Sequence, residues 1–231
     1  MLLKGLQKLT LLDFPGKIAA TVFAGGCNFR CPFCHNASLV IGKRLTETPS
    51  LTEEEFFSFL KKRRGMLEGV CVSGGEPTLY RDLNSFLYNI KELGYLVKLD
   101  TNGYRPKALR EAVEGGLVDY VAMDIKNSKE SYARTVGLEK FDIAPICESV
   151  DFLMSGTVDF EFRTTLVREL HTPRDMYSIA TWIKGEEKYF LQSFADSGDL
   201  LSSGLSGYDK KETEDLLNIV KVYVKNAQIR G

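Results

Sequence analysis

The stretch Gly69-Val70-Cys71-Val72-Ser73-Gly74-Gly75-Glu76-Pro77, followed by Arg81–Leu93, Gly94 and the apolar run Leu96–Asp100, decides how this chain folds. The first five residues have the β-branched, bounded character of a buried strand, and a glycine pair closes them. Leu83, Phe86, Leu87 and Ile90 then recur at helical spacing, and Gly94 stands where a helix C′ residue would. Strand, turn, helix and strand in about thirty residues make a βα unit, the building block of a parallel sheet.

The same alternation runs through the chain. Strands are predicted at Ile18–Ala24, Gly69–Ser73, Leu96–Asp100, Val118–Asp124, Asp159–Val167 and Lys188–Phe194. Thr52 and Glu55 form a capping box ahead of a helix over Phe56–Arg63, and Pro106 opens a helix to Glu114. Further helices are predicted at Lys129–Val136, Pro173–Ile183 and Lys210–Lys225, the last with a stripe of Leu216, Leu217, Val220 and Val224. No linker-like tract and no internal repeat interrupts the pattern, so one domain over residues 1–231 is expected. Six strands are too few for a complete eight-stranded barrel. An open (β/α)6 barrel and a doubly wound sheet both fit, and both bind ligands at the carboxyl ends of their strands.

Composition narrows the partners. Of 231 residues, 30 are Lys or Arg and 31 Asp or Glu, a formal net charge of −1, which removes the basic excess expected of a nucleic-acid binder. Lysines and Asp13 break the apolar opening, and no run approaches the ~20 apolar residues of a membrane span. A cytoplasmic protein with neither nucleic acid nor membrane as partner is expected. Five cysteines are too few for a disulfide scaffold, yet three fall within eight residues.

Those three lie in Gly25-Gly26-Cys27-Asn28-Phe29-Arg30-Cys31-Pro32-Phe33-Cys34-His35-Asn36, just after the first predicted strand. Three soft thiolates on one loop suit zinc or an iron–sulfur cluster. On a four-iron cubane they would leave one iron without a protein ligand, an open position of the kind catalysis needs. A zinc knuckle completed by His35 is disfavoured, because a ligand adjacent to the third cysteine strains a tetrahedron. After later strands come Gly74-Gly75-Glu76-Pro77, Asp100-Thr101-Asn102-Gly103 and Met123-Asp124-Ile125-Lys126. Alone each reads as a turn or a solvated ion pair; together they place polar groups at the mouths of successive βα units. A carboxylate at Glu76 could hold an ammonium. Cys71 reads as buried strand, Cys147 matches no ligand spacing, His171 suits a loop or cap, and Trp182 suits the core.

Cys27-x3-Cys31-x2-Cys34 with Phe33 before the third cysteine, followed by Gly74-Gly75-Glu76-Pro77, resembles the radical S-adenosylmethionine superfamily. The longer strings around Cys27–Asn36, Asp100–Gly103 and Met123–Lys126 resemble its glycyl-radical-enzyme activating enzymes. Leu12-Asp13-Phe14-Pro15-Gly16-Lys17 resembles the lead-in of the activators of anaerobic ribonucleoside-triphosphate reductase.

The resemblance implies an open, partial (β/α)6 TIM-like barrel with a cluster-binding loop at residues 25–39. Cys27, Cys31 and Cys34 would hold one [4Fe–4S] cluster, since Leu39–Met66 carries no cysteine for another. S-adenosylmethionine would chelate the remaining iron. Gly74, Gly75 and Glu76 would meet its methionyl amino end, and Phe33, Cys34 and His35 its adenine. Asp124, Ile125 and Lys126 would lie near ribose and methionyl groups, with Asp100, Asn102 and Arg163 beside them. Arg163 is a candidate for the methionyl carboxylate. Asp100 and Asp124 would share a monovalent cation, which would relieve their repulsion. The implied reaction is reductive cleavage to a 5′-deoxyadenosyl radical that takes a glycine Cα hydrogen from a partner enzyme, with flavodoxin or ferredoxin as one-electron donor. Pyruvate formate-lyase activators carry a histidine near the place of Phe194, so its role is not transferred. Alternatives are a pyruvate formate-lyase-type activator, a small-molecule enzyme of cofactor biosynthesis, and, from another class, a zinc-stabilised interaction module.

Overall fold

Eight strands hydrogen-bond in chain order, without reversal, into one sheet in a computed structural model that describes residues 1–186 and 188–230. They are β1 (Leu3–Thr10), β2 (Ala19–Ala24), β3 (Gly69–Gly74), β4 (Leu96–Thr101), β5 (Tyr120–Asp124), β6 (Asp159–Leu166), β7 (Tyr189–Ser193) and β8 (Gln228–Arg230). Each pair from β2 to β8 is parallel, while β1 runs antiparallel to β2. A doubly wound sheet reverses its strand order at a switch point. This one does not, and side chains of β4 and β6 meet across β5 on its concave face. The fold is therefore the open, TIM-like arrangement of the two that the alternation allowed.

The central strands are nearly all apolar because they are covered on both faces. Ala19, Ala20 and Val22 of β2 and Val70, Cys71 and Val72 of β3 have no exposed surface. Helices α3 (Glu53–Lys62), α4 (Leu83–Glu92), α5 (Pro106–Glu114), α7 (Ala144–Met154), α8 (Pro173–Trp182) and α9 (Lys210–Lys221) supply most of the outer cover, with shorter α1 (Ala37–Val40), α2 (Gly42–Glu47) and α6 (Tyr132–Thr135). In α4, Leu83, Phe86, Leu87 and Ile90 are buried as the periodicity required. Burying each contributes about 1.5–3 kcal/mol. The Thr52–Glu55 capping box opens α3, and Thr172–Asp175 and Asp209–Glu212 make two more.

All six expected strands form, and two more join them. β1 went unread because Lys4, Gln7 and Lys8 break its pattern, and β8 because it has only three residues. The helix expected over Lys129–Val136 shrinks to the single turn of α6, and α7 does the packing instead. Among the described residues, no helix is long and apolar enough to cross a membrane.

Candidate active site

The cysteine loop leaves β2 through Gly25-Gly26 and is pinned by backbone bonds. Gly26 N donates to Leu39 O (2.7 Å), Arg30 N to Val136 O (2.8 Å) and Cys34 N to Cys31 O (3.0 Å). Phe29, buried under the loop, packs edge-on against Tyr104 and Phe141. This anchoring points Cys27, Cys31 and Cys34 into one cavity of about 230 Å3 at the carboxyl ends of the strands. All three thiols are free. Burial pushes the Cys27 thiol up to about 11 and Cys31 to about 12, and raises Cys34 too. Without a metal these groups are protonated, so a bound cluster must displace their protons. Among the described residues, no three His, Cys, Asp or Glu side chains are drawn together to hold a single metal ion. The sulfurs border a shared void instead, and three soft donors around such a space suit a multi-iron cluster.

The Gly74-Gly75 pair forms the opposite wall and is fixed by backbone contact. Gly74 has φ +112°, and a Cβ there would lie 2.4 Å from Ala24 O; one on Gly75 would lie 1.9 Å from Gly26 O. Gly75 N donates to Ala24 O (2.8 Å) and Glu76 N to Gly26 O (2.9 Å), which closes the wall onto the cysteine loop. Glu76 itself has no exposed surface and does not line the cavity. Its Oε1 accepts from Thr78 N (3.1 Å), the Thr78 hydroxyl and Thr101 Oγ1 (2.8 Å), and its Oε2 from Asn102 N (2.6 Å). Burial pushes this carboxyl above its ordinary value while the four donors pull the other way. In this geometry Glu76 ties the β3 loop to the β4 loop from behind the cavity wall.

The floor carries charge. Register sets Arg163 of β6 beside Asp124 of β5. Arg163 Nε donates to Asp124 Oδ1 (3.0 Å), and its Nη1 lies 3.5 Å from Asp100 Oδ2. Lys126 Nζ donates to Asp124 Oδ2 (2.9 Å), Ser73 Oγ to Asp100 Oδ2 (2.9 Å), and buried Lys98 to Asp100 Oδ1. Burial would raise the Asp124 carboxyl, but Arg163 and Lys126 overcome it and hold the group well below the usual carboxylate range; Asp100 is also lowered, with Arg163 and Lys98 beside it.

Phe33, Cys34, His35, Asn102 and Lys126 line the cavity with the groups above. The His35 ring lies 5.5 Å from that of Phe194. Ile125 does not line it: its side chain is wholly buried, its N donates to Arg163 O (2.8 Å) and its O accepts from Thr164 Oγ1 (2.7 Å). Sequence reasoning missed Ser73, Thr101, Thr165 and Gln192, which also line the cavity. Placement just at the strand ends was the available signal. It also missed what His171 does. That imidazole is buried, accepts from Val167 N at Nδ1 (3.0 Å) and lies 2.8 Å from Lys126 O through Nε2, so it holds the Lys126 turn. Cys71 is buried in β3 against Lys98, as its strand placement implied.

The model of the Radical SAM superfamily matches residues 21–170, which carry every one of these groups except His171, Gln192 and Phe194. The chain is 32% identical, over 99% of its own length and 95% of the other's, to a Methanocaldococcus jannaschii protein named "Putative glycyl-radical enzyme activating enzyme". A Saccharolobus islandicus protein named "Probable GTP 3',8-cyclase" is 31% identical over 119 residues, 50% of this chain and 37% of that one. Among solved structures, Streptococcus suis SuiB bound to S-adenosylmethionine superposes with a TM-score of 0.69 at 13% identity, covering 90% of this chain and 49% of SuiB, a likeness of fold. The chain thus spans about half of SuiB and nearly all of the Methanocaldococcus relative. Membership implies a [4Fe–4S] cluster and S-adenosylmethionine, and the thiol-lined cavity is of the kind that could receive them. On the family match over most of the chain, and on its near-full-length relative, this protein belongs to the radical SAM superfamily of enzymes.

Proposed function

We propose that this chain is an activase that installs a glycyl radical on a partner enzyme, and that the partner is an anaerobic ribonucleoside-triphosphate reductase. The observation that carries the reading is its similarity, along 99% of its length, to a protein named as a glycyl-radical enzyme activating enzyme. The Leu12–Lys17 string favours the reductase over pyruvate formate-lyase, and flavodoxin or ferredoxin would donate the electron.

Cys27, Cys31 and Cys34 would hold the cluster as thiolates. When bound, the cluster and S-adenosylmethionine supply reductive cleavage and the power to remove a glycine hydrogen. The chain's own residues do the positioning. Backbone of Gly74 and Gly75 would meet the methionyl end, and Phe33 with the backbone of residues 33–35 would flank the adenine. Three cations, Lys98, Lys126 and Arg163, face two carboxylates, Asp100 and Asp124, so the floor has a surplus positive charge that suits the methionyl carboxylate. Buried Phe29, Phe33 and Val40 on the cavity wall help to keep water from it. Glu76 acts through the loops it ties, as a positioning residue.

The test is paramagnetic resonance on the reduced, oxygen-free protein mixed with S-adenosylmethionine and the candidate reductase. A protein-backbone radical on the reductase is expected. Deoxyadenosine formation with no protein radical on any candidate would overturn the reading in favour of a small-molecule substrate, the alternative that the match to the cyclase over half the chain supports.

A further inference from the structure

The carboxylate pair expected to share a monovalent cation does not fit one. Each of its four oxygens already has a cationic partner. Asp100 Oδ1 accepts from Lys98, and Oδ2 faces Arg163 Nη1 at 3.5 Å and accepts from Ser73 as well. Asp124 Oδ1 accepts from Arg163 Nε and Oδ2 from Lys126 Nζ, at 3.0 and 2.9 Å. A metal ion entering here would meet a net positive field and would have to displace a hydrogen-bonded ammonium or guanidinium.

We propose that Lys98 is a built-in substitute for that ion: its ammonium neutralises Asp100 from inside the barrel, and the site excludes Na+ and K+. The position of Lys98 supports this. It stands in the otherwise apolar run Leu96-Val97-Lys98-Leu99 and is only 1% exposed. A lysine is almost never fully buried unless it is paired. Its four-carbon stem runs up the barrel interior past Cys71, whose sulfur is 3.8 Å from Nζ, and ends on Asp100. Cys71 cannot balance that charge, since burial holds its thiol protonated. Asp100 is therefore the only anion hydrogen-bonded to Lys98 among the described residues, and it presents its second oxygen to the cavity side. With Lys98 absorbing half of Asp100, Arg163 can reach across β5 to bridge both carboxylates. This placement of charge in the chain's own side chains does not depend on which partner the enzyme acts on.

Rubidium, a scatterer of potassium size, tests the proposal without any turnover. Anaerobic crystals of the cluster-loaded protein are equilibrated with RbCl, and thermal unfolding is compared in RbCl and choline chloride at equal ionic strength. For the unaltered protein, no rubidium peak within reach of Asp100 or Asp124 and the same unfolding midpoint in both salts are expected. A peak between the carboxylates, or a midpoint raised by rubidium alone, would overturn the proposal. Lys98→Ala vacates the ammonium site, and its affinity for rubidium should exceed that of the unaltered protein by on the order of tenfold or more. A folded Lys98→Ala that remains indifferent to rubidium also overturns it. Should that variant fail to fold, Lys98→Met, which keeps the stem, takes its place, and the diffraction result on the unaltered protein decides by itself.

Discussion

Replacing Glu76 separates a residue that binds the cofactor from one that holds the cavity walls in place. Glu76→Gln keeps the volume and removes the charge. Its amide nitrogen must face either Asn102 N on one side or the three donors from Thr78 and Thr101 on the other, so a donor meets a donor however it is turned. Losing one charge-assisted bond to a buried backbone N–H costs about 1.5–3 kcal/mol, part of which is returned because a charge no longer has to be desolvated. A net loss of about 2 kcal/mol follows, a fall in Tm of about 4–8 °C for a chain of this size. Glu76→Ala leaves all four donors without an acceptor in a site closed to solvent, and should cost about 4–6 kcal/mol. Guanidinium unfolding followed by circular dichroism reads both, and titration with S-adenosylmethionine on the surviving Gln variant reads binding. Glu76→Gln unfolding within about 0.5 kcal/mol of the unaltered protein, yet binding S-adenosylmethionine at least about tenfold more weakly, would refute this reasoning and return Glu76 to the ammonium.

Other consequences are as direct. Cys31→Ala should lose its iron after anaerobic reconstitution while Cys71→Ala retains it, and equal loss from both would overturn the ligand set. Gly75→Ala drives a Cβ onto Gly26 O at 1.9 Å, backbone against backbone, and should cost about 3 kcal/mol or more in denaturant melts. Gly26→Ala, whose Cβ meets nothing within 4 Å at φ +78°, should cost only about 1–2 kcal/mol. Burial lowers both His35 and His171 from the ordinary 6.5, so below that pH the unfolded chain takes up protons that the folded one refuses. Stability should therefore be flat above pH 6.5 with respect to these groups and fall below it, and His171→Gln should shallow that fall. The lowered Asp100 and Asp124 add a second loss, only as the pH drops through and below about 4.

Much of this was legible in the sequence because the physics was local. Apolar runs bounded by glycine fixed β2 to β7, and the Thr52–Glu55 pair fixed the start of α3. What escaped was decided at a distance. β1 is an edge strand whose burial does not alternate, so its pairing with β2 leaves no period in its own residues. β8 exists because Arg230 reaches Glu161 and its backbone pairs with β7. α7 is a mostly apolar helix with no capping side chain at Ile143, and its start is marked by Pro145 in the first turn, a signal that went unread. In the cavity, the motif strings located Cys27, Cys31, Cys34, Asp100, Asp124 and Lys126, since chemistry puts them at strand ends. Two roles could not be read from motifs. Glu76 stands behind the cavity wall, where it accepts from Thr78, Thr101 and Asn102, and His171 meets Lys126 only through the fold. Lys98 drew no reading from the sequence, although a charge inside an otherwise apolar strand is a signal that it must be paired.

The central claim is that three thiolates leave one iron of a cubane open to S-adenosylmethionine. Mössbauer spectroscopy of the iron-57-reconstituted, oxygen-free protein, recorded with and without S-adenosylmethionine, tests it most directly. The compound should change the signal of one iron in four and leave the other three as they were. A spectrum that does not respond, or one in which all four irons shift alike, would contradict it.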